Sequence, residues 1–278
     1  MSYETGAIVL ACDIDDTLLA VGSRSPMEQL KSAADLTMLC QLIESERADG
    51  SHKLYFGAAT GRSLASQTER AQQSPAFADA TALMDFSINS VGSAIALATP
   101  HGLQPVAQWP EVSNWSADTI AHSLLQRPEL SMQPAEGQDT YKVSFDVQDV
   151  SDDNHEAYVQ AITAQLAAEA MPAQVLFSGG QFLDILPPGV HKGTALVYTA
   201  GALAVAHEDS EPMLRIAAGD SMNDLELIAA ADKVILPGNA HDSLRNWAEN
   251  NTPPDSLYMA HGRFAAGIIE GYQHFMQV

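Results

Sequence analysis

The chain has 278 residues, 46% of them hydrophobic, and carries 13 basic against 35 acidic residues for a formal net charge of −22. That is enough apolar material for one large domain or two smaller ones. So large an acidic excess argues against non-specific binding to nucleic acid or to an anionic membrane, both of which need basic patches. An anionic substrate would need local positive charge to overcome the repulsive field, which a medium of high ionic strength would screen. The two cysteines, Cys12 and Cys40, lie in apolar patterns and read as small core hydrophobes, not as a disulfide framework. The N-terminus shows no basic segment followed by an apolar stretch. The longest weakly apolar run, Ala195 to Ala206, is too short to cross a bilayer. A cytoplasmic protein is the expectation.

Ile8 to Cys12 is an apolar run with the length of a buried strand, and it ends in Asp13, Asp15 and Asp16. Clustered carboxylates at the end of a core strand are costly unless a cation neutralises them. Oxygen ligands suit a hard cation such as Mg2+, although a solvated, Asp-rich loop is the plain alternative. Ser25-Pro26 supplies a capping hydroxyl and a proline for a helix start. Leu36, Leu39, Cys40 and Ile43 then mark one face of that helix, which Asp49-Gly50 stops. Lys53 to Ala59 reads as a second strand, ending in Thr60-Gly61-Arg62-Ser63. Leu64 to Gln73 reads as a helix closed by Ser74-Pro75, Phe86 to Val91 as a strand, and Ser93 to Ala98 as its partner.

From about Thr99 the texture changes. Residues 101–116 read as loop, with Pro105 and Pro110. Thr140 to Val147 alternates as a strand, with Tyr141, Val143, Phe145 and Val147 on one face. Asp152-Asp153-Asn154 caps a helix with Val159, Ile162 and Leu166 on one side. Val175 to Ser178 and Phe182 to Leu186 are short strands either side of Gly179-Gly180. This stretch has the pattern of a small α+β unit inserted into an α/β frame. Beyond the linker Pro187-Pro188-Gly189 the frame resumes. It continues with a helix over Gly193 to Ala206, a strand over Met213 to Ala218 ending in Gly219-Asp220, and a helix over Leu225 to Ala231. A strand over Lys233 to Leu236 and a terminal helix over Arg263 to Phe275 complete it.

Alternating strands and helices imply a parallel sheet, whose carboxyl edge is where ligands bind. Three runs end in polar residues unsuited to a core: Asp13-Ile14-Asp15, Thr60-Gly61-Arg62 and Gly219-Asp220. One sheet edge would gather them. Lys192 opens a helix, where its charge opposes the macrodipole unless an anion lies near. These residues suit phosphoryl transfer, with a carboxylate nucleophile, a hydroxyl and a lysine holding phosphate oxygens, and a second carboxylate moving the proton. No Gly-x-x-x-x-Gly-Lys-Ser/Thr phosphate loop is present.

Asp13-Ile14-Asp15-Asp16-Thr17, Thr60-Gly61-Arg62, Lys192 and Gly219-Asp220-Ser221-Met222-Asn223-Asp224 together resemble the four motifs of the haloacid dehalogenase superfamily of phosphatases. The resemblance implies a Rossmann-like parallel-sheet core over residues 1–98 and 187–278, with an α+β cap inserted over 99–186. It makes Asp13 the nucleophile, Asp15 the general acid/base and Lys192 the phosphate-stabilising cation. Asp13, Asp15 (through its carbonyl), Asp220 and Asp224 are the expected Mg2+ set, with Asn223 and Asp224 orienting metal waters or Lys192. Thr60, Gly61 and Arg62 would hold phosphate. Tyr141 to Phe145, Ser178 to Pro187 and Phe264 to Gly271 narrow the resemblance to the sucrose-phosphate phosphatase branch. Lys142, Ser144 and Gly180 are then candidate sugar contacts.

The expected activity is Mg2+-dependent release of phosphate from a sugar phosphomonoester such as sucrose 6-phosphate. Other readings are a phosphatase of mannosylfructose phosphate or another glycosyl phosphate, a phosphomutase, and a non-catalytic sugar-phosphate-binding partner of a glycosyltransferase. The last would be marked by loss of Asp13, Asp15 or Lys192, and all three are present. Expected partners are a small sugar phosphate and the glycosyltransferase that makes it, with no nucleic acid or membrane, in a monomer or dimer.

Overall fold

The computed structural model describes residues 6–22, 24–148, 155–178, 181–209 and 211–276. Its larger sheet has eight strands in the order β12-β11-β10-β1-β2-β3-β4-β5. These are β1 (Ala7–Cys12), β2 (Lys53–Ala59), β3 (Phe86–Asn89), β4 (Ala94–Thr99), β5 (Gly102–Pro105), β10 (Leu214–Ala218), β11 (Lys233–Leu236) and β12 (Leu257–Met259). The pairs from β12 across to β3 are parallel, and β4 and β5 add an antiparallel edge. β1 lies between β2 and β10, so the ends of those three strands meet at the centre of one edge.

β1 is buried along its whole length because the sheet is covered on both faces. On one face, Ile8, Leu10 and Cys12 pack with Leu36, Leu39, Cys40 and Ile43 of α1 (Pro26–Asp49), Phe77 of α3 (Pro75–Ala82), and Ile268 and Tyr272 of α9 (Ala265–Met276). On the other, Val9 and Ala11 pack with Leu196, Ala200 and Leu203 of α6 (Lys192–Ala206) and Leu227 of α7 (Leu225–Ala229). Each fully buried leucine or phenylalanine contributes about 1.5–3 kcal/mol. The caps of α1 are as the sequence predicts: Ser25 accepts the Glu28 amide, and Gly50 ends the helix at φ +70°. Cys12 and Cys40 are buried free thiols.

The second sheet is antiparallel, ordered β6-β7-β9-β8, from β6 (Leu130–Met132), β7 (Val143–Val147), β8 (Gln174–Ser178) and β9 (Phe182–Leu186). α4 (Ala117–Leu124) and α5 (His155–Ala168) cover one face, packing Ile120, Leu124, Ile162 and Leu166 on Val143, Phe145, Leu183 and Ile185. The other face turns toward the large sheet's central edge. This is the inserted α+β unit, and Val91, Leu186 and Val190 pack together where the chain enters and leaves it.

Several elements depart from expectation. Gly102–Pro105 is strand, not loop, so pairing of the large sheet runs beyond residue 98. It has no alternating pattern because it is an exposed edge. Ser74-Pro75 closes α2 (Leu64–Gln73) and also opens α3, since Ser74 caps the next helix through the Phe77 amide. α4, β6, α8 (Asp242–Asn251) and β12 were not expected, being short or only partly buried. The cap expected at 152–154 lies outside the described residues.

Candidate functional site

Where β1, β2 and β10 end, the chain presents Asp13, Thr60 and Asp220, all at most 4% exposed. The Asp13 amide donates to the Ala218 carbonyl at 2.9 Å, and the Thr60 amide to Ile88 at 2.8 Å, so the sheet ladder fixes both positions. Lys192, the first residue of α6, is 1% exposed. Its Nζ donates to Asp13 Oδ1 at 3.0 Å and to Asp224 Oδ1 at 2.6 Å. The other oxygen of Asp224 accepts the amides of Asp220 (3.0 Å) and Ser221 (3.3 Å). A Cβ at Gly219 would lie 2.5 Å from that of Asp224, so glycine is required for this close approach. Thr17 Oγ1 donates to Asp220 Oδ1 at 3.0 Å.

Asp16 sits in the left-handed region at φ +57° and turns the chain under the site. Asn239 Nδ2 donates to its carbonyl at 2.6 Å, and Arg24 pairs with its carboxylate at 3.0 Å. Arg62 clamps both oxygens of Asp15, Nε to Oδ2 at 2.6 Å and Nη2 to Oδ1 at 2.8 Å. Its guanidinium also reaches Ser66 at 3.2 Å.

A cleft of about 1310 Å3 opens above these groups between the large sheet and the inserted unit. Its floor includes Asp13, Asp15, Thr60, Gly61, Arg62, Asp220 and Asn223, and its roof Gln133, Lys142, Phe177, Phe182 and Asp184. Lys142 Nζ bridges the two parts, 3.4 Å from the Gly61 carbonyl and 3.6 Å from Asp184. Ser90 Oγ to Asp139 at 2.5 Å is a second bridge.

The charges oppose one another strongly. Burial raises the Asp13 carboxyl well above the usual range; Lys192 pulls it back, while Asp224, Asp220 and Asp15 push it up. Asp220 is pushed up to about 7, first by burial and then by Asp224. Burial works against the charge of Lys192, but Asp13 and Asp224 hold its ammonium above the ordinary lysine range. Asp13, Asp220 and Asp224 each offer an oxygen within 4.8 Å of the others. Among the described residues, six carboxylates line the cleft against two cations, with Lys192 just beneath. Phosphate could not approach that excess of negative charge unaided, and an all-oxygen donor set suits a hard divalent cation. The residues therefore fit such an ion.

The structure brings together Asp13, Asp15, Thr60, Gly61, Arg62, Lys142, Lys192, Asp220, Asn223 and Asp224 at one cleft. It does not bring Ser144 there. That hydroxyl is buried beneath the turn at 135–137, within reach of two acceptors, the Gly137 carbonyl at 2.9 Å and Asp184 at 2.5 Å. Asp224 has both oxygens spent on protein donors, which suits a brace for Lys192 and the turn at 220 better than a direct ligand. Gly180 lies outside the described residues. Sequence reasoning missed Asp184, Gln133, Phe177, Phe182, His241 and Asn239. Only register could have pointed to Asp184, which lies opposite Ser144 in the cap sheet.

A Rossmann-like sheet with an inserted cap, and an Asp–Thr–Lys–Asp cluster at its carboxyl edge, define a haloacid dehalogenase-type phosphatase fold. The family profile of sucrose-6F-phosphate phosphohydrolases matches residues 7–276, and the chain belongs to that family. It is 30% identical over 272 residues to sucrose-phosphatase 1 of Nicotiana tabacum, covering 90% of this chain and 61% of that protein. It is 28% identical to probable sucrose-phosphatase 3a of Arabidopsis thaliana, over 96% of this chain and 59% of that protein. The chain thus spans about three fifths of the length of these curated relatives. The sucrose-phosphatase from Synechocystis, solved with sucrose and phosphate, superposes with a TM-score of 0.75 at 26% identity, covering 96% of this chain and 97% of that one. No helix among the described residues is long and apolar enough to cross a membrane.

Proposed function

We propose that the chain is a Mg2+-dependent phosphatase that releases phosphate from sucrose 6-phosphate, working in the cytoplasm on a small-molecule substrate. One observation carries this reading: Lys192 is buried between Asp13 and Asp224 just beneath a cleft of about 1310 Å3 whose roof carries polar and aromatic groups. Resemblance to the sucrose-phosphatases narrows the substrate from a sugar phosphate to this one.

In this reading an Asp13 oxygen attacks phosphorus and the bond from phosphorus to the sugar oxygen breaks, leaving an aspartyl-phosphate. Asp15 gives its proton to the departing sugar oxygen, then takes one from water as that water attacks phosphorus. Phosphate leaves and Asp13 is restored. Arg62 holds both Asp15 oxygens in the structure, so that pair must open first. An incoming phosphate is a competing partner for the guanidinium. Thr60 and Lys192 hold the phosphate oxygens, and Lys142 and Asp184 meet sugar hydroxyls. Mg2+, held by Asp13, Asp220 and the Asp15 carbonyl, would neutralise phosphate charge against the carboxylates when bound.

A panel of phosphorylated mono- and disaccharides, with mannosylfructose phosphate beside sucrose 6-phosphate, tests the proposal by free phosphate release. Sucrose 6-phosphate should give the highest kcat/KM, and Asp13→Asn should lower it by about 10^4-fold or more. Equal turnover across the panel would remove the substrate assignment. Activity surviving in Asp13→Asn would remove the mechanism.

A further inference from the structure

The residue before the buried lysine is a histidine, and it caps the lysine's own helix. His191 Nδ1 lies 3.2 Å from the Gly193 amide and 3.4 Å from the Thr194 amide. Both partners are N–H donors, so Nδ1 must be an acceptor. The imidazole is therefore neutral, with its proton on Nε2. Thr194 completes a reciprocal cap: its Oγ1 accepts the His191 amide at 3.2 Å and donates to the Gly189 carbonyl at 2.8 Å. Serine, aspartate and asparagine are the usual residues here. Among helix caps only histidine loses its acceptor to a proton at mildly acidic pH.

The start of α6 has little slack. Gly92, at φ +99°, approaches so closely that a Cβ there would lie 2.3 Å from the His191 carbonyl carbon and 2.5 Å from the Lys192 nitrogen. Trp109 Nε1 pins this strap by donating to the Gly92 carbonyl at 2.8 Å. On the opposite side a Cβ at Gly193 would lie 2.2 Å from the Glu226 carbonyl oxygen. The backbone carrying Lys192 is thus wedged between the 90–92 strap and α7, and its cap sets the last degree of freedom.

We infer that His191 is the positioning residue for Lys192: its neutral imidazole fixes the helix start that aims the ammonium between Asp13 and Asp224. Protonation removes the acceptor from two amides. It also places a second positive charge beside Lys192 at the positive end of the helix. Glu226 on α7 is the charged side chain that favours the imidazolium, and the facing strap, Ser90 to Gly92, carries no titratable group. Burial outweighs Glu226 and lowers the His191 pKa, so the cap persists below the ordinary histidine range and is lost only at more acidic pH.

This inference rests on the phosphatase reading for its activity arm, and a second arm needs no turnover. In the first, kcat and KM for sucrose 6-phosphate are followed from pH 5 to 8 in the native chain, His191→Ala and His191→Asn. His191→Ala should lower kcat about tenfold at pH 7.5 with little change in KM, the size of a lost cap expressed in the rate. His191→Asn should recover most of that loss and carry the acid limb to lower pH. A native kcat in His191→Ala, or a native acid limb in His191→Asn, overturns the inference. In the second, 15N NMR of labelled histidine should show an unprotonated Nδ1 at pH 7.5 in the signal that His191→Asn deletes; a protonated Nδ1 overturns the cap. If no phosphorylated sugar is hydrolysed, the substrate reading falls while the NMR result still decides the cap.

Discussion

The floor of the cleft and its roof are built on different principles. On the floor, Asp13, Lys192, Asp220 and Asp224 are each at most 4% exposed and joined by hydrogen bonds of 2.6 to 3.0 Å. Two buried hydrogen-bonded cation–carboxylate pairs and a backbone clamp hold these side chains in place. On the roof, the Lys142 ammonium makes contacts of 3.4 and 3.6 Å among the described residues, and Phe182 is 38% exposed. Chemistry needs groups held in place before the substrate arrives. Selection needs groups that can exchange long contacts within the protein for short ones to a ligand. In the proposed phosphatase, a closely paired floor under a roof whose lysine makes longer contacts would let one reaction serve a roof suited to a particular sugar.

The largest test of this contrast is Lys192→Met. It leaves Asp13 and Asp224 buried without their shared cation, a loss of about 3–5 kcal/mol in stability. kcat should fall by roughly 10^3-fold, as when a preorganised charge is removed. Thermal melting and phosphate release measure both. A variant as stable as the native chain would show that the floor is not the tense region described.

Cation dependence is the intermediate test. The carboxyls of Asp13 and Asp220 are raised on folding, Asp220 to about 7. A raised carboxyl favours the folded state while protonated, and that advantage is lost as pH climbs through the folded value. The cation-free protein should therefore become less stable from pH 5 to pH 8. Added Mg2+ should restore stability mainly at the higher pH, by roughly 5 °C in Tm at saturating concentration. A larger Mg2+ shift at pH 5 would contradict the sign.

The roof should give the smallest effect and the most selective one. Asp184→Asn should raise KM for sucrose 6-phosphate by about tenfold, the value of one charged hydrogen bond, and leave kcat nearly unchanged. Its KM for a small phosphomonoester without a second sugar should not move. Equal changes for both substrates would place Asp184 in the rigid part of the site.

How much of this was legible depended on the range of the interaction. Asp13, Thr60, Lys192 and Asp220 could be read because each breaks a local rule: a polar residue after an apolar strand, or a cation at the wrong end of a helix. Ser25 and Gly50 were legible for the same reason, since caps act within one turn. Asp184 could not be read, because it looks like an ordinary outward residue of a short strand until β7 lies beside it. Ser144 misled in the opposite way: its strand face was right, but the turn at 135–137 lies over it.

By itself, the sequence determined the alternation of strands and helices, the apolar faces and the polar residues that end three strands, because periodicity and capping act over a few residues. Tertiary structure alone decided that Arg62 holds Asp15, that Asp184 lines the cleft, and that the backbone at His191 packs against a strap a hundred residues away. Those outcomes depend on which strands become neighbours and how closely backbones approach, and a linear pattern carries no record of either.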